Sequence, residues 1–305
     1  MLGGGKGRAA FCHSAAVIDK DKRKGTDWSE YPLTTHGELL LALAQSGLSG
    51  FPHRAVSLQF FETISRYTDF FKVRKETIVP TLEAFVDARC VYLISVTPTY
   101  LNSNDYSGLH HPDSSFRARL SFLFSRFIRE SRNDIPQNIC ETITQSVRDL
   151  LEIEVQLPDP EEVETDILTE AAKNPRFETQ LFLFETIGIL CAIIAKDSSE
   201  PTRLLLSFVT PLMDKLSESL QAYGKGGQDV VPVVLTHHII YALGTIAKGY
   251  PDYPTPAHAD YVSPSLDVFA QVAQAILVCL ERMNVFKIVR EAVSLFHYIS
   301  MHYVE

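Results

Sequence analysis

Several arginines recur along one predicted helix of this 305-residue chain, and their spacing suggests a surface for phosphate groups. Apolar residues such as Phe116, Leu120 and Phe127 recur on one side of that helix. The opposite side is predicted to carry four arginines, Arg119, Arg126, Arg129 and Arg132. Guanidinium groups bind phosphate oxygens well, so this face would follow the backbone of a nucleic acid. The candidate residues are Arg117, Arg119, Arg126, Arg129 and Arg132, with Phe122 as an exposed neighbour.

A second interpretation of the same arginines is a solvated helix face with ion pairs between repeats. Glu130, Asp134 and Glu141 are close enough in the sequence to be the acidic partners. Four arginines with few nearby acids are only moderately specific for phosphate binding, and the two interpretations both stay open.

No other motif in the sequence predicts catalysis or a metal site. The GGGKG run at residues 3–7 lacks the spacing and the Ser/Thr of a phosphate-binding loop. His110 and His111 are neighbours, as are His237 and His238, and adjacent side chains on a helix point apart. The second pair is therefore predicted to place one histidine in the core and one at the surface. No metalloprotease motif, Cys/His cluster or nucleophile elbow occurs, so we expect no enzyme activity, no metal and no cofactor.

Charge and cysteine content restrict the class of protein. A net charge of −9 argues against a chain covered with nucleic-acid-binding surface, but it permits a local basic stripe or a basic protein partner. The acidic segment Asp159–Glu170 either contacts such a partner or is a flexible connector. Five scattered cysteines without a C-x-x-C pair indicate buried free thiols in a reducing compartment.

Membrane insertion and secretion are not predicted. The most apolar stretch, Leu181–Ala195, carries Glu185 and is shorter than the ~20 apolar residues that a spanning helix needs. Residues 1–30 lack the apolar core of a secretory signal. We expect them to be disordered, or to come from an incorrect gene start.

The helices themselves are predicted from a repeating pattern. Amphipathic segments begin at intervals of roughly 60 residues, and each is followed by a second helix without any strand signal. The five starts lie near Ala55, Ser115, Thr179, Val233 and Phe286. One helix pair cannot bury its apolar face alone, so residues 31–305 are predicted to be an all-α solenoid of HEAT-type repeats, with roughly five helical hairpins.

Helix ends are predicted from caps and prolines. Thr34 or Thr35 would cap a helix over 36–45, and Ser114 or Ser115 the arginine-bearing helix. Apolar spacing predicts continuous helices over 53–71 and over 135–154. Pro80 and Pro211 occupy equivalent places in two second helices, where a proline begins or kinks the helix.

Several short motifs in the right order resemble one known family. They are PHRAVSLQFFE at 52–62 with RY at 66–67 and FF at 70–71, GLHH at 108–111, RAR at 117–119, LFSRF at 123–127, QLF at 180–182, FETIG at 184–188 and TPLM at 210–213. Together they resemble exportin-T, the tRNA exportin family of the importin-β superfamily, over about residues 35–305. The motifs are core and turn patterns rather than a catalytic signature.

This resemblance implies a function. It implies a HEAT-repeat carrier that binds mature tRNA together with GTP-bound Ran in the nucleus and releases both in the cytoplasm. It also implies nucleoporins as partners, shuttling between nucleus and cytoplasm, and no reaction catalysed by the carrier itself. Such carriers recognise tRNA by shape and backbone, which agrees with an arginine-rich face.

The resemblance covers only an interior portion of the family, without the amino-terminal repeats that mainly hold Ran and without the carboxyl-terminal arch. The chain is therefore expected to be a partial version of the carrier. Two alternatives from other classes are a HEAT-repeat interaction scaffold and a carrier of protein cargo without tRNA binding.

Overall fold

The computed structural model describes residues 16–19, 31–86, 108–159, 161, 166–196, 200–226, 229–250 and 265–301. Within those ranges the regular elements are helices, apart from an isolated bridge between Ile18 and Leu33. The predicted all-α class is confirmed. The GGGKG run lies outside the described residues, as does most of residues 1–30.

The helices, which we label in chain order, are α1 Thr35–Ala44, α2 Arg54–Ile64, α3 Asp69–Val73, α4 Ile78–Val86, α5 Ser114–Ser131, α6 Gln137–Ser146, α7 Ile167–Ala172, α8 Pro175–Ala195, α9 Arg203–Gly226, α10 Val231–Lys248, α11 Leu266–Met283 and α12 Lys287–Met301. A helix begins within four residues of each of the five predicted starts. The chain forms two compact units, Met1–Pro136 and Gln137–Glu305, which we call the amino-terminal and carboxy-terminal units.

In the amino-terminal unit, Thr34 caps α1 as predicted. Its hydroxyl oxygen accepts the Gly37 N–H at 3.2 Å and donates to the carbonyl of Ala16 at 2.6 Å. The cap thus ties α1 to residues 16–19, in which Val17 and Ile18 are buried.

The helix predicted over 53–71 is broken, because α2 ends at Ile64 and α3 begins at Asp69. In an unbroken helix Phe70 would point away from Phe61, since nine residues at 100° each make about two and a half turns and place the two side chains on opposite sides. The break allows both rings to be fully buried.

An aromatic cluster joins the helices of this unit. Phe85 lies 4.4 Å from Phe61 and 5.3 Å from Phe124, and Phe71 lies 4.8 Å from Phe127 between ring centroids. These contacts connect α2, α3 and α4 with α5 and hold α5 in place.

The predicted cap of α5 is wrong by one residue. Asp113 is the N-cap, and its carboxylate accepts the Phe116 N–H at 2.9 Å. This bond, more than any other interaction, lowers the pKa of Asp113, as expected for a carboxylate at a helix N-terminus.

In the carboxy-terminal unit, α8 and α10 form the core. Both are long and apolar enough to cross a membrane, which corrects the prediction that no segment has the length. Of the most apolar 18-residue stretch in each helix, 72% is buried in α8 and 78% in α10, so both are core helices in this structure. Gly188 and Gly249 lie at their crossing, where a Cβ on Gly188 would be 3.0 Å from the Cα of Gly249.

The helix predicted over 135–154 is also shorter than expected. Helix α6 ends at Ser146, and a 3₁₀ turn follows over Arg148–Leu151. The side-chain amide of Gln180 on α8 donates to the carbonyls of Leu150 at 2.9 Å and Glu152 at 2.7 Å. A tertiary partner therefore satisfies carbonyls that would otherwise need further helix.

Of the two prolines, one lies at the beginning of its helix and the other inside its helix, which are the two predicted positions. Pro80 lies in the first turn of α4, whereas Pro211 lies inside α9. Pro211 has no N–H for the carbonyl of Ser207, four residues earlier. Arg148 donates to that carbonyl at 2.5 Å, and its guanidinium lies 4.9 Å from the ring centroid of Phe208. The arginine thus compensates for the hydrogen bond that the proline removes.

Ion pairs connect equivalent positions of successive helix pairs. Glu62 bonds Arg119, Glu141 bonds Arg203, and Glu185 bonds Lys248, at sequence separations of 57, 62 and 63 residues. These separations match the predicted repeat interval. In the carboxy-terminal unit, first helices therefore pack beside first helices and second helices beside second helices, as solenoid stacking requires. In the amino-terminal unit, the first helices α2 and α5 pack together in the same way.

His237 and His238 are both buried, which corrects the prediction that one would reach the surface. Their Nδ1 atoms lie 3.0 Å apart, and the ring of His238 stacks on Phe177 of α8 at 3.9 Å. Burial lowers the pKa of His237 to about 4 and that of His238 to about 3. The prediction assumed that side chains that point apart cannot both be buried, but Phe177 of α8 covers His238 on its side of α10.

The buried pair predicts a loss of stability in mild acid. Histidines in the unfolded chain have a pKa near 6.5, so below that pH they bind protons that the buried histidines of the folded chain do not bind. The free energy of unfolding should fall by up to about 1.4 kcal/mol per histidine and pH unit between pH 6.5 and 5. Urea unfolding at pH 7.5, 6.5 and 5.5 measures this slope. A His238→Leu variant should show a smaller slope, and a flat profile for the native chain would contradict the prediction.

The described cysteines agree with the prediction of buried free thiols. Cys140, Cys191 and Cys279 are buried and form no disulfide. Burial raises the pKa of Cys140 to about 12 and that of Cys279 to about 11, and it raises the pKa of Cys191 further. These thiols are therefore protonated and unreactive in the folded chain. Cys12 and Cys90 lie outside the described residues.

Candidate nucleic-acid interface

Helix α5 presents three of the predicted arginines along one side. Each residue turns the helix by 100°, so Arg119 and Arg126 lie nearly above one another, and Arg129 follows about 60° away. All three are exposed, while the apolar residues of α5 face the aromatic cluster. We call Arg119, Arg126 and Arg129 the arginine ridge.

Arg119 is held from two sides. Its Nε donates to Oε1 of Glu62 on α2 at 2.9 Å, and its guanidinium lies 5.4 Å from the ring centroid of Phe122. The ion pair between repeats is thus present at this position, with a partner from the preceding repeat rather than from Glu130, Asp134 or Glu141. Phe122 is half-buried, whereas the sequence had suggested an exposed ring.

Arg126 differs from Arg119 in its surroundings. It is exposed and forms no ion pair with any acid in the ranges that the structure describes. Arg132 is also exposed and lies at the C-cap of α5. Arg126 is therefore the ridge position with the most available charge.

Arg117 lies on a different side of α5 and has a local role. It donates to the carbonyls of His111 at 3.0 Å and Pro112 at 3.3 Å, so it fastens the segment before α5 to the helix. Arg54 of α2 pairs with Asp113 in the same region. The structure does not bring Arg117 together with the ridge.

Neighbouring helices add residues that the sequence patterns did not reveal. Contacts of α2 with α5 run in the same direction along both helices, from Arg54 beside Asp113 to Glu62 beside Arg119. Arg66 is exposed and lies just beyond the C-terminal end of α2. Comparing residues one repeat interval apart would have found Glu62, because it precedes Arg119 by 57 residues.

The groups on this surface are suited to anion binding. Exposed guanidinium groups can contact phosphates, and the half-buried ring of Phe122 lies beside the guanidinium of Arg119. Among the described residues, no group of three or more His, Cys, Asp or Glu side chains could hold a metal ion.

Comparison with known proteins identifies the family. The family model for Exportin-T matches residues 16–300 of this chain. The chain belongs to the exportin-T family.

Three of its exportin-T relatives show how similar the chain is to other members. The chain is 58% identical over 291 residues to Exportin-T of Laccaria bicolor and 57% identical over 290 residues to that of Coprinopsis cinerea. In both cases the match covers 95% of this chain and 26% of the relative. Exportin-T of Mycosarcoma maydis is 32% identical over 263 residues.

The chain thus spans about a quarter of the length of these exportin-T relatives. The family match begins at residue 16, further toward the amino terminus than the motifs that suggested the family.

Proposed function

We propose that this chain is part of a nuclear export receptor for tRNA. The receptor binds tRNA cooperatively with GTP-bound Ran in the nucleus and releases it in the cytoplasm, so it shuttles between the two and contacts nucleoporins on the way. The observation that carries the proposal is 58% identity to an Exportin-T over 95% of this chain.

Within the receptor, we assign the arginine ridge of α5 to the tRNA-facing surface. Arg126 supplies charge that no described acid neutralises, and Phe122 offers a ring beside Arg119. Such a surface binds the phosphate backbone without reading bases, which suits a carrier that accepts many tRNAs of one shape. Arg117 and Arg132 remain candidates of lower weight, because Arg117 is bound to backbone carbonyls and Arg132 lies at the helix end.

The receptor itself catalyses nothing in this proposal. Release follows GTP hydrolysis on Ran, and the stacked helix pairs change shape by small shifts that add up along the repeats.

Direct binding tests this function. Fluorescence anisotropy with labelled tRNA should give saturable binding by the 305-residue chain, with a dissociation constant of about 10⁻⁴–10⁻⁶ M. The affinity should fall as the salt concentration increases. Unlabelled tRNA should compete better than single-stranded RNA of the same length. GTP-loaded Ran should tighten tRNA binding where this chain contributes contacts to Ran.

The same measurement separates the two alternatives. A carrier of protein cargo would bind GTP-loaded Ran and a polypeptide signal but not tRNA. A HEAT-repeat scaffold would bind neither tRNA nor Ran at any salt concentration, and either result would reject tRNA export as the function of this region.

A further inference from the structure

Glu62 is an acidic residue placed directly against the basic surface. It lies on α2, its side chain is 26% exposed, and it accepts the Nε–H of Arg119, whose side chain is 49% exposed. A carboxylate in this position reduces the positive potential that an approaching phosphate meets.

We propose that Glu62 attenuates RNA binding by neutralising Arg119 in the free protein. This inference rests on the proposed function, because it assumes that the arginine ridge binds RNA. An RNA phosphate must share the guanidinium with the carboxylate of Glu62 or displace it, so Glu62 sets the affinity of the surface below the value that its arginines alone would give.

The geometry leaves Arg119 accessible to both anions. Glu62 occupies Nε only, and neither Nη1 nor Nη2 of Arg119 forms a hydrogen bond within the described part of the chain. Phe122 supports the guanidinium at 5.4 Å. A phosphate bound through the two terminal nitrogens would therefore lie on the same guanidinium as the carboxylate, and the two anions repel each other.

The pair is also exposed enough to be dispensable for folding. Ion pairs at the protein surface contribute little to stability, because water and salt screen them. A substitution of Glu62 should therefore change RNA affinity much more than it changes thermal stability.

Glu62→Gln is the decisive variant, because glutamine keeps an oxygen that accepts the Nε–H of Arg119 and removes only the charge. We expect tRNA to bind about 3- to 10-fold more tightly at 50 mM salt, and the gain to shrink at 300 mM salt as screening increases. Glu83→Gln on the second helix α4 is the matched control, since it removes the same charge at an exposed position of the same unit. It should change affinity less than about twofold.

A double-mutant cycle ties the effect to Arg119. In an Arg119→Gln background, Glu62→Gln should no longer tighten binding beyond the effect of the control, because the neutralised partner is gone. Equal gains in both backgrounds would overturn the proposal, since Glu62 would then act only through the general field.

The outcomes separate this inference from the function beneath it. If Arg126→Glu weakens tRNA binding but Glu62→Gln leaves it unchanged or weaker, the ridge binds RNA and the attenuation is wrong. If neither variant changes binding, the ridge is not the RNA surface, and the inference fails with it. Thermal melting of each variant checks the fold, and Glu62→Met should show the same gain if the glutamine variant is unstable.

Discussion

Replacing Gly188 with alanine is expected to destabilise the carboxy-terminal unit by about 3 kcal/mol, near the upper end for overpacked cores. A new Cβ would overlap the carbonyl oxygen of Ile246 and lie 3.0 Å from the Cα of Gly249. These are backbone atoms of the neighbouring chain segment, so they cannot rotate away, and α8 and α10 would have to separate. The expected sign is opposite to helix propensity, which favours alanine over glycine by about 1 kcal/mol.

Gly224 is the matched control for this substitution. It also lies in a helix of the same unit, but a Cβ there would meet nothing within 4 Å. Gly224→Ala should therefore stabilise the chain by about 0.5–1 kcal/mol through propensity alone.

Urea unfolding followed by circular dichroism measures both variants. Hydrogen exchange would assign the loss in Gly188→Ala to α8 and α10. A Gly188→Ala chain as stable as the native one would show that the two helices do not cross as closely as described.

The sequence predicted those parts of the fold that depend on local periodicity. The starts of α2, α5, α8, α10 and α12 follow from apolar stripes that one helix displays by itself, and Thr34 caps α1 through a bond three residues away. Their packing partners also followed, because hydrophobic stripes at a fixed interval must meet one another.

Apart from the cap of α5, which is wrong by one residue, the errors in helix length and burial fall where a distant residue decides the local structure. Gln180 binds the carbonyls that end the 3₁₀ turn after α6, and Phe177 covers His238. The break between α2 and α3 likewise depends on burying Phe70 in a cluster that other helices complete. No pattern within each segment contains that information.

For the candidate site, the sequence predicted which arginines share a helix face but not which acid pairs with them. Helical spacing places Arg119, Arg126 and Arg129 on one side of α5, but it does not show that Arg119 is bound to Glu62. Acids were sought close in the sequence, whereas a stacked array brings together residues one repeat apart. The repeat interval itself is therefore the better guide to ion-pair partners in this chain.

Reversing the arginine ridge has the largest effect expected on function. Changing Arg119, Arg126 and Arg129 to glutamate replaces three positive charges by three negative ones on one helix face. We expect tRNA affinity at 100 mM salt to fall at least about 100-fold, because phosphate contacts supply most of such binding. The slope of log affinity against log salt should decrease in magnitude by about 2–3, which corresponds to three lost phosphate contacts.

A control with the same change in net charge separates the ridge from the overall field. Lys196, Arg282 and Lys287 are exposed but lie at the end of α8, on α11 and on α12, so their reversal distributes the same change in charge over three helices instead of one. That variant should lose less than about tenfold in affinity and keep most of the salt slope, since separated exposed charges are screened within about 10 Å at 0.1 M salt. Equal losses in the two variants would mean that net charge alone governs binding. Unchanged affinity and slope in the ridge variant would remove α5 from the RNA surface.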